Sequence, residues 1–251
     1  MFEKLTSKDF RLMGICIVIS IMSLFIVQNY FTKVFPDASI NMLYTKDEAH
    51  AKAKIFLANR GKDISDFMHA HRFGYLNEAK EFLEFELPAD EAGKILNNTN
   101  SYYWKNRWFI PQNKEEYYVK ISTTGNLAEY VHKIKEEAPG DSLSQEKALN
   151  IAKFFLAGTM DVQMEKWELV KSETEKLPKR LDHVFEWKEK LFDIHESSHR
   201  LTVKIQGNEL GFYNEWIKVP DTWKRKYAKV RSKNNFLNMF GGIGLNLTIF
   251  L

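Results

Sequence analysis

The segments TKDEAHAKAKIFLA (residues 45–58) and SQEKALNIAKFFLA (residues 144–157) are two versions of one pattern. Aligned without gaps, Ala49, Ala53, Lys54, Phe56, Leu57 and Ala58 meet Ala148, Ala152, Lys153, Phe155, Leu156 and Ala157. Positions 49, 53, 56 and 57 recur at the spacing of one helix face, as do 148, 152, 155 and 156. Each segment opens on Thr45 or Ser144, whose side-chain oxygen suits the free backbone N–H groups of a first helical turn. Glu48 completes a capping box in the first copy, whereas Lys147 stands at that place in the second. Self-similarity of this kind predicts a duplicated unit that starts with an amphipathic helix.

Behind each helix the sequence turns to β character. The first is followed by ISDFMHAHRFGYL, EFLEFEL, SYYWKNRWFI and EYYVKISTTGNLAEYVHKI, the second by MEKWELVKSE, DHVFEWKEK and RLTVKIQGNELGFYNEWI. Aromatic and β-branched residues are dense in these runs, and turn residues separate them. Val119-Lys120-Ile121 before Gly125-Asn126, and Val203-Lys204-Ile205 before Gly207-Asn208, read as hairpins closed by Gly-Asn turns. The segment KEEAPGDSLS (135–144) divides the units. The fold expected is α+β: two tandem units, 40–135 and 143–218, each a helix packed on an antiparallel β-meander.

Both ends of the chain are apolar. LMGICIVISIMSLFIV (12–27) lacks charge and extends through Tyr30 and Phe31 to about the span a bilayer needs. No small-x-small cleavage site follows, so an uncleaved anchor over 1–33 is expected rather than a signal peptide. Residues 236–251, FLNMFGGIGLNLTIFL, read as the start of a second membrane helix after a basic juxtamembrane helix over 219–235. Lys4, Lys8 and Arg11 ahead of the first span, against Lys33 after it, favour a cytoplasmic N-terminus and an external middle region. The basic run before the second span argues the opposite, but the first helix usually dominates. The lipid bilayer is thus one expected partner. Net charge is +3, and the mixed charges over the β runs argue against a nucleic-acid surface. The single cysteine, Cys16, excludes an intramolecular disulfide and a Cys-based zinc cluster.

One stretch spells a catalytic motif. His195-Glu196-Ser197-Ser198-His199 is a literal H-E-x-x-H, which holds zinc only when one helical turn brings both histidines to one face. Val184, Trp187, Leu191 and Ile194 are spaced like a helix face leading into it. Behind it, however, Leu201, Val203 and Ile205 alternate with Thr202, Lys204 and Gln206, the period of a strand. Thr202 and Ile205 break the extended zincin pattern, and the remaining third ligands, Glu209 or Glu215, fall in or past a Gly-Asn turn. A polar turn between two strands is the expected structure, with no catalytic, metal or cofactor residue assigned.

His69 and His71 alternate on one strand face and are expected to be exposed strand histidines rather than a metal pair. Tyr102, Tyr103, Trp104, Trp108 and Phe109 read as sheet core and cross-strand pairs rather than a binding groove. Glu115-Glu116 and Glu136-Glu137 read as solvated charges.

The stretches LSQEKALNIAKFFL, WELVKSETEKLPKRLDHVFEWKE and HRLTVKIQGNELGFYNEWIKVPDTWKRKYAKVRSKN resemble the N-terminal half of bacterial CPBP proteins, the CAAX-protease-like intramembrane metalloproteases. The resemblance is most specific over 143–235, and the helix-plus-meander units also look like PepSY-type modules. It implies a non-catalytic, extracytoplasmic region that binds or gates a peptide or membrane-protein substrate for a membrane-embedded protease. That family's Glu-Glu-x-x-x-Arg, Phe-x-x-x-His and His-x-x-x-Asn/Asp motifs lie on later membrane helices. Here Glu115-Glu116 is followed by Lys120 at the Arg place, and Phe67 with His71 falls in a polar strand. A stand-alone anchored sensor or peptidase-regulating module is the alternative, and a zinc hydrolase using 195–199 is a third.

Overall fold

The computed structural model describes residues 6–35, 37 and 40–249, with side chains at all of these except 32–34 and 237–249. The chain begins with helix α1 (Ser7–Val34), started by a capping box between Thr6 and Asp9. At 1.5 Å per residue it is about 42 Å long, more than a bilayer's hydrocarbon core. Its apolar side chains are turned outward, Leu24 being 69% exposed and Phe25 66%, so no protein core receives them. Over Ser7–Phe31 it is the one helix among the described residues long and apolar enough to cross a membrane. The second apolar run, 236–251, falls on the end of helix α6 (Asp221–Ile249), whose backbone continues the basic segment without a break. The side chains of 237–249 and the whole of 250–251 lie outside the described residues, as do residues 1–5.

Between these helices lies one antiparallel sheet. In chain order the elements are α2 (Lys46–Ala58), β1 (Met68–Tyr75), α3 (Asn77–Glu86), α4 (Ala89–Asn98), β2 (Tyr102–Phe109), β3 (Glu116–Ser122) and β4 (Leu127–Lys133). There follow α5 (Gln145–Phe154), β5 (Trp167–Leu177), β6 (Arg180–Glu189), β7 (Ser198–Gln206) and β8 (Glu209–Lys218). The eight strands are ordered β1-β2-β3-β4-β8-β7-β6-β5, so two meanders meet edge to edge at β4 and β8. That seam is short, pairing Glu129 with Asn214, Tyr130 with Tyr213 and Val131 with Phe212.

Period-2 alternation divides the sheet into two faces. One face turns Trp108, Val119, Ile121, Tyr130, Phe185, Leu201, Val203 and Tyr213 toward α2 and α5, and all are buried. The helices seat Ala49, Ala53 and Leu57, and Ala148, Ala152 and Leu156, each fully buried, in a single apolar cluster with these strands. Small residues at these places let both helix axes approach the sheet closely. Thr45 and Glu48 form the expected capping box, and Ser144 accepts from the Lys147 N–H at 3.4 Å.

Gly207 (φ +64°) and Asn208 close the β7–β8 hairpin in two residues, with Gln206 opposite Glu209. The β3–β4 connection is longer: the Ser122 N–H donates to the Asn126 carbonyl at 2.7 Å, and Thr123, Thr124 and Gly125 (φ +93°) make the turn between them. Both glycines occupy the left-handed region that a tight hairpin turn requires.

EFLEFEL is not a strand. It lies in α3, and α4 follows it, so two helices stand between β1 and β2. Ala79, Phe82 and Leu83 are buried at helical spacing in a second cluster with Leu96 of α4, Ile217 of β8 and Trp223 of α6. DHVFEWKEK, whose apolar residues admitted a helical spacing, is strand β6.

Segment 135–144 is coil, but it is held. The buried Arg180 guanidinium donates to the backbone carbonyls of Lys135, Glu136 and Ala138 at 3.0, 3.1 and 2.8 Å. Asp182 balances that charge at 2.9 Å.

Candidate functional site

The H-E-x-x-H stretch does not form a helix. Ile194 to Ser197 make a tight turn, with the Ser197 N–H donating to the Ile194 carbonyl at 2.9 Å, and β7 starts at Ser198. His195 (φ +47°) and Glu196 (φ +67°) both adopt left-handed backbone angles, which no α-helix contains. The His195 ring is mostly exposed beside Glu86 of α3, 3.8 Å away. His199 is buried on the helix-facing side of the sheet. Its Nδ1 lies 2.8 Å from Glu189 and its Nε2 2.9 Å from Glu215.

Burial opposes the charge on His199, but hydrogen bonds to Glu189 and Glu215 prevail and push its pKa up to about 9. An imidazolium donating from both nitrogens has no lone pair for zinc. Glu215, one of the third-ligand candidates, instead accepts from His199 and from Asn100 Nδ2 at 2.7 Å. Glu209, the other, pairs with Lys62. The buried chain Glu189–His199–Glu215–Asn100 ties β6, β7 and β8 to the end of α4.

His69 and His71 share a face, as their spacing requires, and His50 of α2 joins them. The His50 and His69 ring centroids are 4.0 Å apart, those of His69 and His71 5.2 Å. His69 is partly buried rather than exposed and contacts Asn106 Oδ1 at 3.1 Å. Burial, together with the neighbouring histidines, depresses its pKa. Among the described residues no group of three His, Cys, Asp or Glu is arranged to hold a metal ion.

The aromatic run of β2 splits between the faces, with Tyr102 and Trp108 buried and Tyr103 on the uncovered face beneath the Lys120 ammonium. Glu115 and Glu116 are not simply solvated. Glu116 is buried against Arg107 and Tyr118, and Glu115 binds His132 and Tyr117.

A concave gap lies between α2 and α5 and runs above the β4–β8 seam. Its walls begin at Phe56 of α2 and Phe155, which opens a π-helical turn (Phe155–Thr159) at the end of α5. Each ring stands edge-on to a buried tyrosine beneath it, Phe56 on Tyr130 at 5.1 Å and Phe155 on Tyr213 at 5.3 Å, and of these two Tyr213 lines the gap. Those two tyrosines are direct partners across the seam.

Phe56 and Thr159 line both halves of the gap. One half, about 370 Å³, reaches Asn100, Trp167 and Glu215. The other, about 680 Å³, is bordered by Arg60, Phe154 and Leu210. Volumes of this order suit a small ligand or a short peptide segment.

Comparison with family models, with curated proteins and with solved structures yields no match.

The groove therefore stands on its own geometry. The repeat placed Phe56 and Phe155 on one helix stripe, but only the structure shows that they border a groove. Arg60, His50 and Asn100 carried no sequence signal, because what sets them apart is a tertiary neighbour and not a motif.

Proposed function

We propose that this chain is a membrane-anchored, non-catalytic binding region whose ligand, a peptide or a segment of a membrane protein, lies in the groove between α2 and α5. The observation that carries this reading is the groove itself, lined by Phe56, Phe154, Phe155, Trp167 and Tyr213, in a chain that also bears a lipid-compatible helix. The resemblance to the extracytoplasmic region of CAAX-protease-like membrane metalloproteases supports an external placement and a substrate-binding or regulatory role beside a membrane-embedded protease. The two meanders are read as copies of one PepSY-like unit. The repeated helix segments, the paired Phe56–Tyr130 and Phe155–Tyr213 contacts and the β4–β8 seam support that reading.

Hydrogen exchange on the full chain in lipid nanodiscs, with and without unstructured peptides at millimolar concentration, tests the proposal. Protection is expected at residues 46–58 and 155–159. Protection confined to the other sheet face, or none with any peptide, would sink it. A stand-alone sensor is the second reading, favoured by the His50–His69–His71 cluster under α2.

A further inference from the structure

Arg60 differs from the ion-paired arginines of the sheet. Arg107, Arg180 and Arg200 each pair with a carboxylate, Glu116, Asp182 and Glu186. The guanidinium of Arg60 has no hydrogen-bond or ion-pair partner among the described residues, and its Nε is buried with no acceptor. It lies instead over two aromatic rings, its Cζ 5.0 Å from the centre of Phe56 and 4.8 Å from that of Phe155. Ring contacts of this kind hold a guanidinium in place while leaving its in-plane donors free.

Its surroundings do not quench it. Glu209 is the nearby acid on the same cavity wall, and Lys62 neutralises it at 2.5 Å. Tyr130, wholly buried beneath Phe56, also has a hydroxyl without a partner. Burial depresses the Arg60 pKa, as for a cation held out of water. Beside these groups the cavity offers apolar wall from Ile151, Phe154 and Leu210, and Phe154 is 76% exposed. In the repeated segment the place of Arg60 is taken by Thr159, so the groove carries a guanidinium in one half only; Lys52, which lines the other half, lies over the Tyr44 ring.

We propose that Arg60 is a carboxylate-recognition point: the groove takes a peptide whose free carboxylate meets the Arg60 fork while an adjacent apolar side chain lies against Phe154. This rests on the groove reading above and adds polarity and ligand class to it. A planar carboxylate can accept two parallel N–H bonds from a guanidinium whose faces are already occupied, which a lone ammonium cannot offer.

The test uses the full chain in nanodiscs, with N-acetyl-Phe-Leu as free acid, its C-terminal amide, and hexanoate as a lipid-like carboxylate. Isothermal calorimetry gives the affinities, and hydrogen exchange at 155–159 gives the location. The acid is expected to bind at least tenfold more tightly than the amide, and hexanoate weakly. Arg60→Gln should bring the acid down to the amide's level, and Arg60→Lys should recover only part of the difference. Phe154→Ser should weaken acid and amide alike, and unchanged melting temperatures would show that the variants fold. Equal binding of acid and amide in the groove would overturn the carboxylate inference and leave the groove reading intact. Hexanoate matching the acid would overturn the peptide assignment, and no binding of either peptide would overturn both readings.

Discussion

His199 keeps a positive charge where burial alone would remove it, because Glu189 and Glu215 each take a hydrogen bond from its ring. A folded-state pKa of about 9 against 6.5 for a free histidine links that charge to stability. The contribution is fully present below pH 6.5 and is lost as pH rises through 9, with an upper size of about 3 kcal/mol. Melting curves between pH 6 and pH 9.5 should show the fall, and His199→Gln should flatten it. His199→Leu should cost about 3–5 kcal/mol at pH 7, since it takes from Glu189 and Glu215 the cation they share, although Asn100 still donates to Glu215. A loss under 1 kcal/mol would contradict the buried-pair account. The sequence disclosed the turn at 194–197, because strand alternation starts right behind it. It could not disclose the Glu189–His199–Glu215 contact, which joins three strands through their register.

Among the elements, α2 and α5 were legible because their burial is a local pattern repeated twice, and their caps are written in the residues just ahead. The helix α3 was not. Leu83, Glu84, Phe85, Glu86 and Leu87 alternate like a strand, yet Ala79, Phe82 and Leu83 supply the buried helical face. Phe85 stays half-exposed and packs edge-on to Trp223 and Tyr227 of α6, 5.9 and 5.8 Å away. Tertiary packing on a later helix thus decides between two local periods. Phe82→Ala should destabilise by about 3–5 kcal/mol, as for a fully buried aromatic. It should also loosen α6, read as faster exchange over 221–230. At the β7–β8 turn, Gly207→Ala meets both a left-handed backbone and the Asp141 nitrogen, 2.8 Å from the added carbon. A loss of at least about 1–2 kcal/mol is expected from the backbone angle alone, measured by thermal melting.

At the scale of the whole molecule, the groove runs above the join between the two meanders. The backbone ladder across that join is three residue pairs long, whereas β7 and β8 share one from Ser198–Lys218 to Gln206–Glu209, so the apolar cluster under α2 and α5 carries much of the join. The apolar cluster of α3, α4, Ile217 and Trp223 adds a second tie across it. α1 joins the chain on one side of the join, and α6 leaves β8 on the other. If α1 and α6 were both held in a bilayer, as the proposed anchoring implies, load would reach the sheet from both sides of the join and should part it beneath the groove. An occupant touching both helices would act as a rivet across the crack. Pulling the full chain through α1 and α6 in a single-molecule trap should give a first rip at the β4–β8 join, at a force that rises when the groove is filled. A rupture force indifferent to ligand would show that occupancy and tension are uncoupled.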